Sequence, residues 1–286
     1  MSPLSRLQKQ FAGEGLTPEV VDLFRLIVLT HYERNARPLP WRETSDPYAI
    51  LVSEVMLQQT QVDRVKGKYE SFLAAFPDID ALAEAPLQQV LAQWQGLGYN
   101  RRAVHLKGCA EVIRELFNGV VPRSAEQLET LPGIGHYTAR AVAAFAFGTP
   151  SAFIETNIRA VFIHLFFPDR EKVHDREILP LVEASLDREN PRQWYYALMD
   201  FGVDLKRTNR NPARRSAHHT RQSPFKGSNR ELRSAILRAI IAQPGLKPAE
   251  IIALTEGEPE QIKENLMKMA SEGLLQEMEG RYSIPH

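Results

Sequence analysis

The chain has 286 residues, of which 43% are apolar, so it is large enough to bury a core and to form two domains. Lys and Arg together number 35, as do Asp and Glu, so the net charge of zero indicates nothing about partners and only local clusters can. The single cysteine excludes a disulfide framework and a multi-thiolate metal site. The sequence has no apolar run long enough to cross a bilayer and no secretory core, which predicts a cytoplasmic protein without a membrane segment.

Helix boundaries are marked repeatedly in the first three quarters of the chain. Pro86 opens the segment LQQVLAQWQ and Gly96 closes it, and Pro191 and Gly202 bracket RQWYYALMDF in the same way. Strand-like alternation is nearly absent before residue 270. We therefore predict an all-α fold of many short helices, with residues 1–205 as its main domain.

A basic segment follows this main domain. Its cations, with no acid among them, are Lys206, Arg207, Arg210, Arg214, Arg215, Arg221 and Lys226. A solvated linker is one interpretation. Phosphate contact is the favoured one, because clustered cations repel one another unless an anion offsets them. We predict a basic connector over residues 206–228.

The last segment, residues 229–286, combines three helical patterns with a terminal hairpin. The extended pieces of LLQEMEGRYSIP flank Glu279 and Gly280, a pair typical of a tight turn. Three helices and a hairpin indicate a small winged helix-turn-helix domain, which binds DNA through its third helix. That helix is rich in glutamate here, so DNA contact and docking of a protein partner both stay open.

The segment LPGIG, residues 131–135, reverses the chain between two helical patterns. Its glycines, Gly133 and Gly135, adopt at low cost the backbone angles that such a reversal needs. The amides at the start of the following helix then form an anion site. A plain interhelical turn explains the glycines alone, so the functional interpretation depends on neighbouring motifs.

Three motifs in order along the chain give that support. LPGIGHYTARAVAAFAFG resembles the helix-hairpin-helix of base-excision DNA glycosylases. LPWRETSDPYAILVSEVMLQQTQVDRV and WQGLGYNRRAVHL are similar to motifs of the adenine-specific, MutY-type branch of that superfamily. The resemblance covers residues 20–205. It implies a two-lobed helical fold with an active cleft between the lobes, in which the hairpin grips DNA phosphate and the target base is flipped out of the duplex.

The resemblance also implies which residues bind DNA. Gln58, Gln59 and Tyr99 are candidates for the plug that fills the vacated stack, against an alternative of surface-helix polarity and a core tyrosine. The full DNA-binding set predicted from the motifs and the connector is Gln58, Gln59, Tyr99, Arg102, Gly133, Gly135, Arg214 and Arg215. The expected partner is double-stranded DNA, the expected state is a monomer, and a bacterial source would place the protein at the nucleoid.

Two carboxyl groups are candidates for the chemistry. Breaking a base–sugar bond builds positive charge on the sugar and negative charge on the base, so carboxyl groups of opposite protonation serve it. Glu54 matches the glutamate with which the adenine-type family protonates the leaving purine. Glu155 matches an aspartate that stabilises the sugar cation and handles water, but it is one methylene longer. A helix cap is the alternative for Glu155.

The resemblance places five more residues in the base pocket. Trp41 and Arg42 line it, with the indole stacking on the flipped base, and a core anchor is the alternative for Trp41. Tyr137 stands where bifunctional relatives have a Schiff-base lysine, which predicts a monofunctional hydrolase without AP-lyase activity. Tyr137 and Tyr196 also resemble the branch that excises thymine from G:T mismatches, and Asp200 completes the set.

We therefore predict a glycosylase that removes a mismatched base from double-stranded DNA, first of all adenine opposite guanine or 8-oxoguanine. Thymine or uracil opposite guanine, and a non-catalytic DNA-binding regulator, are the alternatives. The MutY-type family usually carries an iron–sulfur cluster and a domain that inspects oxidised guanine. Neither is visible in this sequence. Lys206 occupies the position at which the family has the first cysteine of the cluster, and the adjacent His218 and His219 make a poor metal site. We therefore expect no cofactor and no metal.

Overall fold

The computed structural model describes residues 1–220 and 224–285. In these ranges it contains fifteen α-helices, two short 3-10 helices and one two-stranded antiparallel sheet. The predicted predominance of helix is confirmed. None of the helices in the described ranges combines the length and the hydropathy that a membrane crossing requires.

The helices lie in the following order along the chain. They are α1 (Pro3–Glu14), α2 (Pro18–Asn35), α3 (Pro47–Leu57), α4 (Val62–Ala75), α5 (Ile79–Glu84), α6 (Leu87–Trp94), α7 (Arg101–Phe117), α8 (Ala125–Glu129), α9 (His136–Phe147), α10 (Thr156–Phe166), α11 (Asp175–Ser185), α12 (Pro191–Thr208), α13 (Asn229–Ala242), α14 (Pro248–Leu254) and α15 (Pro259–Ser271). The 3-10 helices are Pro40–Arg42 and Pro212–Arg215, and the strands are β1 (Gln276–Met278) and β2 (Arg281–Ser283).

These elements form two compact units. The first unit comprises Met1–Ser45 and His136–Arg221, and the second comprises Asp46–Gly135 and Gln222–His286. The predicted domains, 1–205, 206–228 and 229–286, stay a prediction. The compact units group the chain differently, since the C-terminal helices belong with residues 46–135 rather than forming a unit of their own.

The core of the first unit lies where α2, α10 and α12 pack together. Phe24 of α2 meets Phe162 and Phe166 of α10 edge to face, with ring centroids 5.3 and 5.2 Å away, and Trp194 of α12 at 5.5 Å. All four rings are buried. Edge-to-face pairs add to the stabilisation that burial itself provides, so these rings hold α10 and α12, which carry candidate site residues, in a fixed relation.

Gly202 does not end the helix that Pro191 begins, and this boundary prediction is wrong. Helix α12 continues for six further residues to Thr208. A Cβ atom at Gly202 would collide with the backbone carbonyl of Asn157 on α10. The glycine therefore permits close approach of two helices, although glycine inside a helix costs about 1 kcal/mol relative to alanine.

Much of the predicted basic connector is packed against the first unit. Lys206 still belongs to α12, and the 3-10 helix that follows buries Pro212 and Ala213. Ser216 is buried and forms a parallel bridge with Val173. Of the connector cations, Arg221 lies outside the described residues.

The second unit contains α3, a largely apolar helix with nine buried residues. Asp46 caps this helix by accepting hydrogen bonds from the amides of Tyr48 and Ala49, each at 3.2 Å. The hydroxyl of Tyr48 donates to the carbonyl of Phe76 at 2.7 Å. A helix without a polar face is typical of a fully buried element, and Glu54 is one of the buried residues of this helix.

The C-terminal part of the second unit consists of α13–α15 and the β1–β2 hairpin. Glu279 and Gly280 form its turn with φ angles of 52° and 72°, as a tight hairpin turn requires. Gln88 of α6 donates through Nε2 to the carbonyl of Ile241 on α13 at 3.0 Å. Three helices and a hairpin are thus confirmed, and the winged helix-turn-helix assignment stays a prediction.

Candidate active site

Glu54 lies on α3 in the second unit and is only 5% exposed. It is flanked in sequence by the buried residues Ser53 and Val55. Burying a carboxyl group is costly unless it is hydrogen-bonded or paired. The catalytic role of Glu54 stays a prediction.

Glu155 lies in the first unit and is the N-cap of α10. Its Oε1 accepts hydrogen bonds from the amides of Asn157 and Ile158 at 2.6 and 2.8 Å, and its Oε2 accepts one from the side-chain amide of Asn157 at 3.1 Å. The alternative of a helix cap is confirmed. A carboxylate offers about four acceptor positions, so capping leaves Oε2 able to accept a further hydrogen bond.

Lys206 is a neighbour of this carboxylate that sequence reasoning did not identify. Its Nζ donates to Oδ1 of Asn157 at 2.8 Å and to the hydroxyl of Thr156 at 3.3 Å. Burial lowers the pKa of Lys206, while the charge of Glu155 acts to raise it. The only signal in the sequence was the place of Lys206 one turn after Gly202, on the face that approaches Asn157.

Asp200 is 2% exposed and is fully engaged by two arginines of the same unit. Arg42 donates to both carboxylate oxygens, at 2.7 and 2.9 Å. Arg37 donates through Nε at 2.5 Å and through its backbone amide at 3.0 Å. Burial acts to raise the pKa of Asp200, but the hydrogen bonds and charges of Arg42 and Arg37 outweigh it and lower that pKa. Asp200 is thus held by Arg42 and Arg37, and its place in the base pocket stays a prediction.

Three of the predicted pocket residues meet in the first unit. The guanidinium of Arg42 lies 4.5 Å from the ring centroid of Tyr196, and Phe145 stacks on the same ring with its centroid at 4.7 Å. Together with Asp200 these contacts form one connected group. Trp41 is buried, as the core-anchor alternative expects. Tyr137 meets Phe153 edge to face at 5.6 Å.

Arg102 is buried in the second unit and donates to backbone oxygens rather than facing solvent. Burial lowers its pKa to about 10, so it stays charged at neutral pH. Its acceptors are the carbonyls of Val55, Met56, Gln58, Leu97 and Gly98 and the hydroxyl of Thr60, at 2.7 to 3.4 Å. The predicted DNA contact of Arg102 is therefore replaced by a role inside the fold, because its guanidinium ties two turns together.

Those two turns carry the three plug candidates. Gln58 and Gln59 lie in the turn after α3 rather than on a helix surface, and Tyr99 is 37% exposed rather than a core residue. Gln59 and Tyr99 have φ angles of 54° and 48°, a left-handed conformation that costs non-glycine residues of order 1 kcal/mol or more. Both alternatives, surface-helix polarity for the glutamines and a core position for the tyrosine, are therefore wrong. Arg102 holds both turns in this conformation.

The two glycines of the LPGIG segment differ. Gly133 has a φ angle of 74°, and a Cβ atom there would lie 2.6 Å from Cβ of His105, so both its backbone angle and its surroundings require glycine. Gly135 has no left-handed φ angle, and a Cβ atom there would meet nothing within 4 Å. The prediction that Gly135 needs a special backbone angle is wrong. Its open surroundings leave room for another molecule.

The two connector arginines also differ. Arg215 donates to the carbonyls of Phe167 and Pro168, each at 2.5 Å, and to that of Ile163 at 3.2 Å. These oxygens lie at the C-terminal end of α10, where carbonyls lack partners within the helix. Arg214 is exposed. Of the predicted pair, only Arg214 is available to an anion.

The residues of this chain do not fit an iron–sulfur cluster. Such clusters are held mostly by thiolates, usually four, and the chain has one cysteine. Cys109 is buried on α7, where burial raises the pKa of its thiol to about 12. In the ranges that the structure describes, no three His, Cys, Asp or Glu side chains form a group that could hold a metal ion. The expected absence of a cofactor stays a prediction, and a cluster has no part in the chemistry below.

Comparison with known proteins agrees with the motifs. Residues 52–183 match the model of the HhH-GPD superfamily of base excision DNA repair proteins. The chain is similar to this superfamily over that range, which is somewhat less than half of its length. The matched range includes Glu54, Glu155 and the LPGIG turn.

Among similar proteins, the adenine DNA glycosylase of Mycolicibacterium smegmatis is 39% identical over 180 residues, which are 62% of this chain and 61% of that protein. The adenine DNA glycosylase of Homo sapiens is 34% identical over 213 residues, 70% of this chain and 39% of that protein. The matches thus span less than two thirds of these relatives' lengths.

Two solved structures are similar in fold. A thermostable thymine-DNA glycosylase matches with a TM-score of 0.57 and 29% identity, over 64% of this chain and 86% of that one. A non-covalent endonuclease III–DNA complex matches with a TM-score of 0.54 and 18% identity, over 88% of this chain and 99% of that one. The chain therefore shares its helical fold with these two structures.

Proposed function

We propose that this protein is a monofunctional DNA glycosylase that hydrolyses the N-glycosidic bond of adenine opposite guanine or 8-oxoguanine in double-stranded DNA. The observation that carries the proposal is the retention of Glu54, buried in an apolar helix, within a chain whose curated relatives include adenine DNA glycosylases at 33–40% identity. The chemistry that follows is assigned to residues of this chain.

Glu54 serves as the proton donor to the departing base. Protonation neutralises the negative charge that builds on adenine as the C–N bond breaks, and the bonding electrons leave with the base. The sugar then carries positive charge at its anomeric carbon. Addition of water and loss of a proton complete the hydrolysis and leave an abasic sugar.

Glu155 serves as the carboxylate that stabilises the sugar cation and accepts the proton of water. Its extra methylene, compared with the aspartate of the family pattern, is accommodated by the N-cap geometry, in which two backbone amides hold Oε1. Fixing one oxygen in this way orients the other. Pre-oriented charge is the largest contribution that most active sites make.

DNA is held through phosphate contacts that carry no sequence information. Gly133 shapes the turn that leads into α9, and the open surroundings of Gly135 allow a phosphate to approach the amides at that helix start. Arg214 supplies a further cation. Gln58, Gln59 and Tyr99 enter the stack from which the target base is extruded, where amides and a ring replace lost hydrogen bonds and stacking.

The absence of an amine at Tyr137 supports hydrolysis without strand cleavage. A lyase step needs an amine to form a Schiff base with the opened sugar, and a phenol cannot form one. The proposed product is therefore an abasic site in an otherwise intact strand.

A panel of duplexes tests the proposed substrate. The protein is incubated with duplexes that carry A:G, A:8-oxoG, T:G or U:G pairs, and abasic sites are cleaved with hot alkali. We expect strand breaks with both adenine duplexes only after alkali. Binding to every duplex without a break in any would support the non-catalytic regulator instead.

Thymine opposite guanine is the second candidate substrate. It is favoured by Tyr137 and by the structural match to a thymine-DNA glycosylase at 29% identity. Excision from T:G or U:G duplexes alone would replace adenine as the substrate and leave the assigned roles of Glu54 and Glu155 in place.

Substitution of the two connector arginines by alanine should affect different properties, DNA binding for Arg214 and stability for Arg215. Arg214→Ala should weaken binding to all duplexes and reduce the slope of log K against log salt by about 0.9, the value for one phosphate contact, with an unchanged melting temperature. Arg215→Ala should instead destabilise the fold by about 2 kcal/mol, because charged hydrogen bonds to the end of α10 are lost. Fluorescence anisotropy and thermal melting measure the two effects. A normal melting temperature for Arg215→Ala would contradict its assigned helix-capping role.

A further inference from the structure

A large cavity in the second unit lies where the C-terminal helices meet the turns that carry the plug candidates. Its volume is about 1170 Å³. One wall is formed by the turns Gln58–Gln61 and Gln95–Asn100 with parts of α4 and α7. The other wall is formed by α13 and the end of α15. The second wall lies beyond the residues 52–183 that match the superfamily.

The charge of this cavity is strongly positive. Its lining includes a single acid, Glu272, which forms an ion pair with Arg233. The lining Lys and Arg residues are Arg64, Lys68, Arg101, Arg102, Arg230, Arg233 and Arg238. The excess of cations is notable because the whole chain has a net charge of zero. Burial and the charge of Arg101 together lower the pKa of the lining residue His105.

Three of these cations contribute little to the fold. Arg64, Arg101 and Arg238 are exposed and make no ion pair within the described parts of the chain. They come from α4, from the start of α7 and from α13, three separate parts of the sequence. Like charges gathered around one concavity repel one another at a cost that an anion in the cavity would remove.

The cavity is continuous with the plug candidates. Gln58, Gln59 and Tyr99 line it, and Arg230 of α13 donates to the hydroxyl of Tyr99 at 3.3 Å. The guanidinium of Arg230 lies 5.9 Å from the centre of the Tyr99 ring. The C-terminal region therefore contacts the residue assigned to enter the DNA stack.

We propose that this cavity binds the sugar–phosphate backbone of one DNA strand, so that α13 forms part of the DNA-binding surface. The inference rests on the proposed function for the identity of the polymer. Guanidinium groups pair with phosphate oxygens in a fixed fork geometry, and amide and tyrosine side chains beside them suit exposed bases. An acidic peptide would be the alternative occupant of a cationic cavity, and the experiment below separates it from DNA.

Salt-dependent binding of an undamaged, fluorescein-labelled duplex tests this site, with Arg64→Ala/Arg238→Ala as the main variant. Each substituted side chain is exposed, so the melting temperature should stay unchanged. The slope of log K against log salt should fall by about 1.8, or about 0.9 for Arg238→Ala alone, because each lost phosphate contact removes about 0.9. The charge-retaining variant Arg64→Lys/Arg238→Lys should keep the wild-type slope.

Lys268→Ala is the matched control. Lys268 is exposed on α15, the helix that a winged helix-turn-helix would use for DNA, and it does not line the cavity. The slope of log K against log salt for Lys268→Ala should equal that of the wild type. An unchanged slope for Arg64→Ala/Arg238→Ala, or an equal loss in Lys268→Ala, would overturn the proposal. The first result would leave an acidic protein partner for the cavity, and the second would place DNA on α15.

The proposed glycosylase function and the proposed DNA-binding cavity can be tested independently. Base release is measured at saturating protein, where weakened binding has no effect on the rate. A wild-type protein that binds duplex but releases no base, together with the expected loss of slope in the double variant, would refute the glycosylase and retain the cavity. A protein that releases adenine with an unaltered slope in the double variant would do the reverse.

Discussion

Glu54→Gln should abolish most base release while leaving DNA binding intact. A positioned general acid contributes about 10²- to 10⁴-fold to a rate, and glutamine has nearly the same shape but no proton of comparable acidity to give. We expect the single-turnover rate on an A:8-oxoG duplex to fall by about three orders of magnitude, which is within that range. The rate is measured by alkali cleavage at saturating protein, and binding by fluorescence anisotropy.

Glu70→Gln provides the control for this substitution. Glu70 is exposed on α4 in the same unit, so its change tests the loss of one carboxylate without removing the proposed acid. Its rate should equal that of the wild type. A wild-type rate in Glu54→Gln, with Glu70→Gln also normal, would refute the assignment of Glu54 as the proton donor.

Asp200→Asn should destabilise the protein by about 3–5 kcal/mol, the usual cost of breaking a buried ion pair from one side. Asparagine fills the same space but leaves Arg42 buried without its counter-charge. Arg37 also loses its charged partner. The free energy of unfolding is measured by urea denaturation at pH 7.

The effect of Asp200→Asn should also depend on pH in a defined direction. The folded state lowers the pKa of Asp200, so its contribution to stability is complete above the ordinary aspartate pKa of about 4. That contribution is lost as the pH falls through the lower folded value. The stability difference between wild type and variant should therefore be constant from about pH 5 upward and shrink in more acidic solution.

Asp204→Asn is the comparison on the same helix. Asp204 pairs with His31 and Arg207 near the surface, where ion pairs contribute about 1 kcal/mol or less. Its substitution should therefore cost far less than that of Asp200. An equal loss of unfolding free energy in the two variants would contradict the stabilising role assigned to the ion pairs of Asp200.

The sequence allowed the helical architecture and the chemistry-bearing motifs to be predicted, because both depend on local patterns. Helix starts, the Gly133 turn and the terminal hairpin at Glu279 and Gly280 follow from backbone preferences of single residues. The end of α12 could not be found in this way. A glycine that ends a helix and one that lets two helices approach, as Gly202 does, look the same in a sequence.

The roles of arginines were predicted less well, for a related reason. Arg102 and Arg215 stand in basic, motif-rich segments typical of phosphate contact, yet both donate to backbone carbonyls. Orphan carbonyls at turns and helix ends attract guanidinium groups as phosphates do. Which acceptor an arginine meets depends on the distant chain that folds beside it. The same limit hid the pairing of Asp200 with Arg42, which are 158 residues apart.

Release of free adenine is the most direct test of the proposed function. A duplex with labelled adenine opposite 8-oxoguanine is incubated with the protein, and both free base and strand integrity are measured before and after hot alkali. We expect stoichiometric free adenine from an intact strand that breaks only with alkali. Strand breakage before alkali, or no free adenine under conditions in which the duplex is fully bound, would contradict a monofunctional adenine glycosylase.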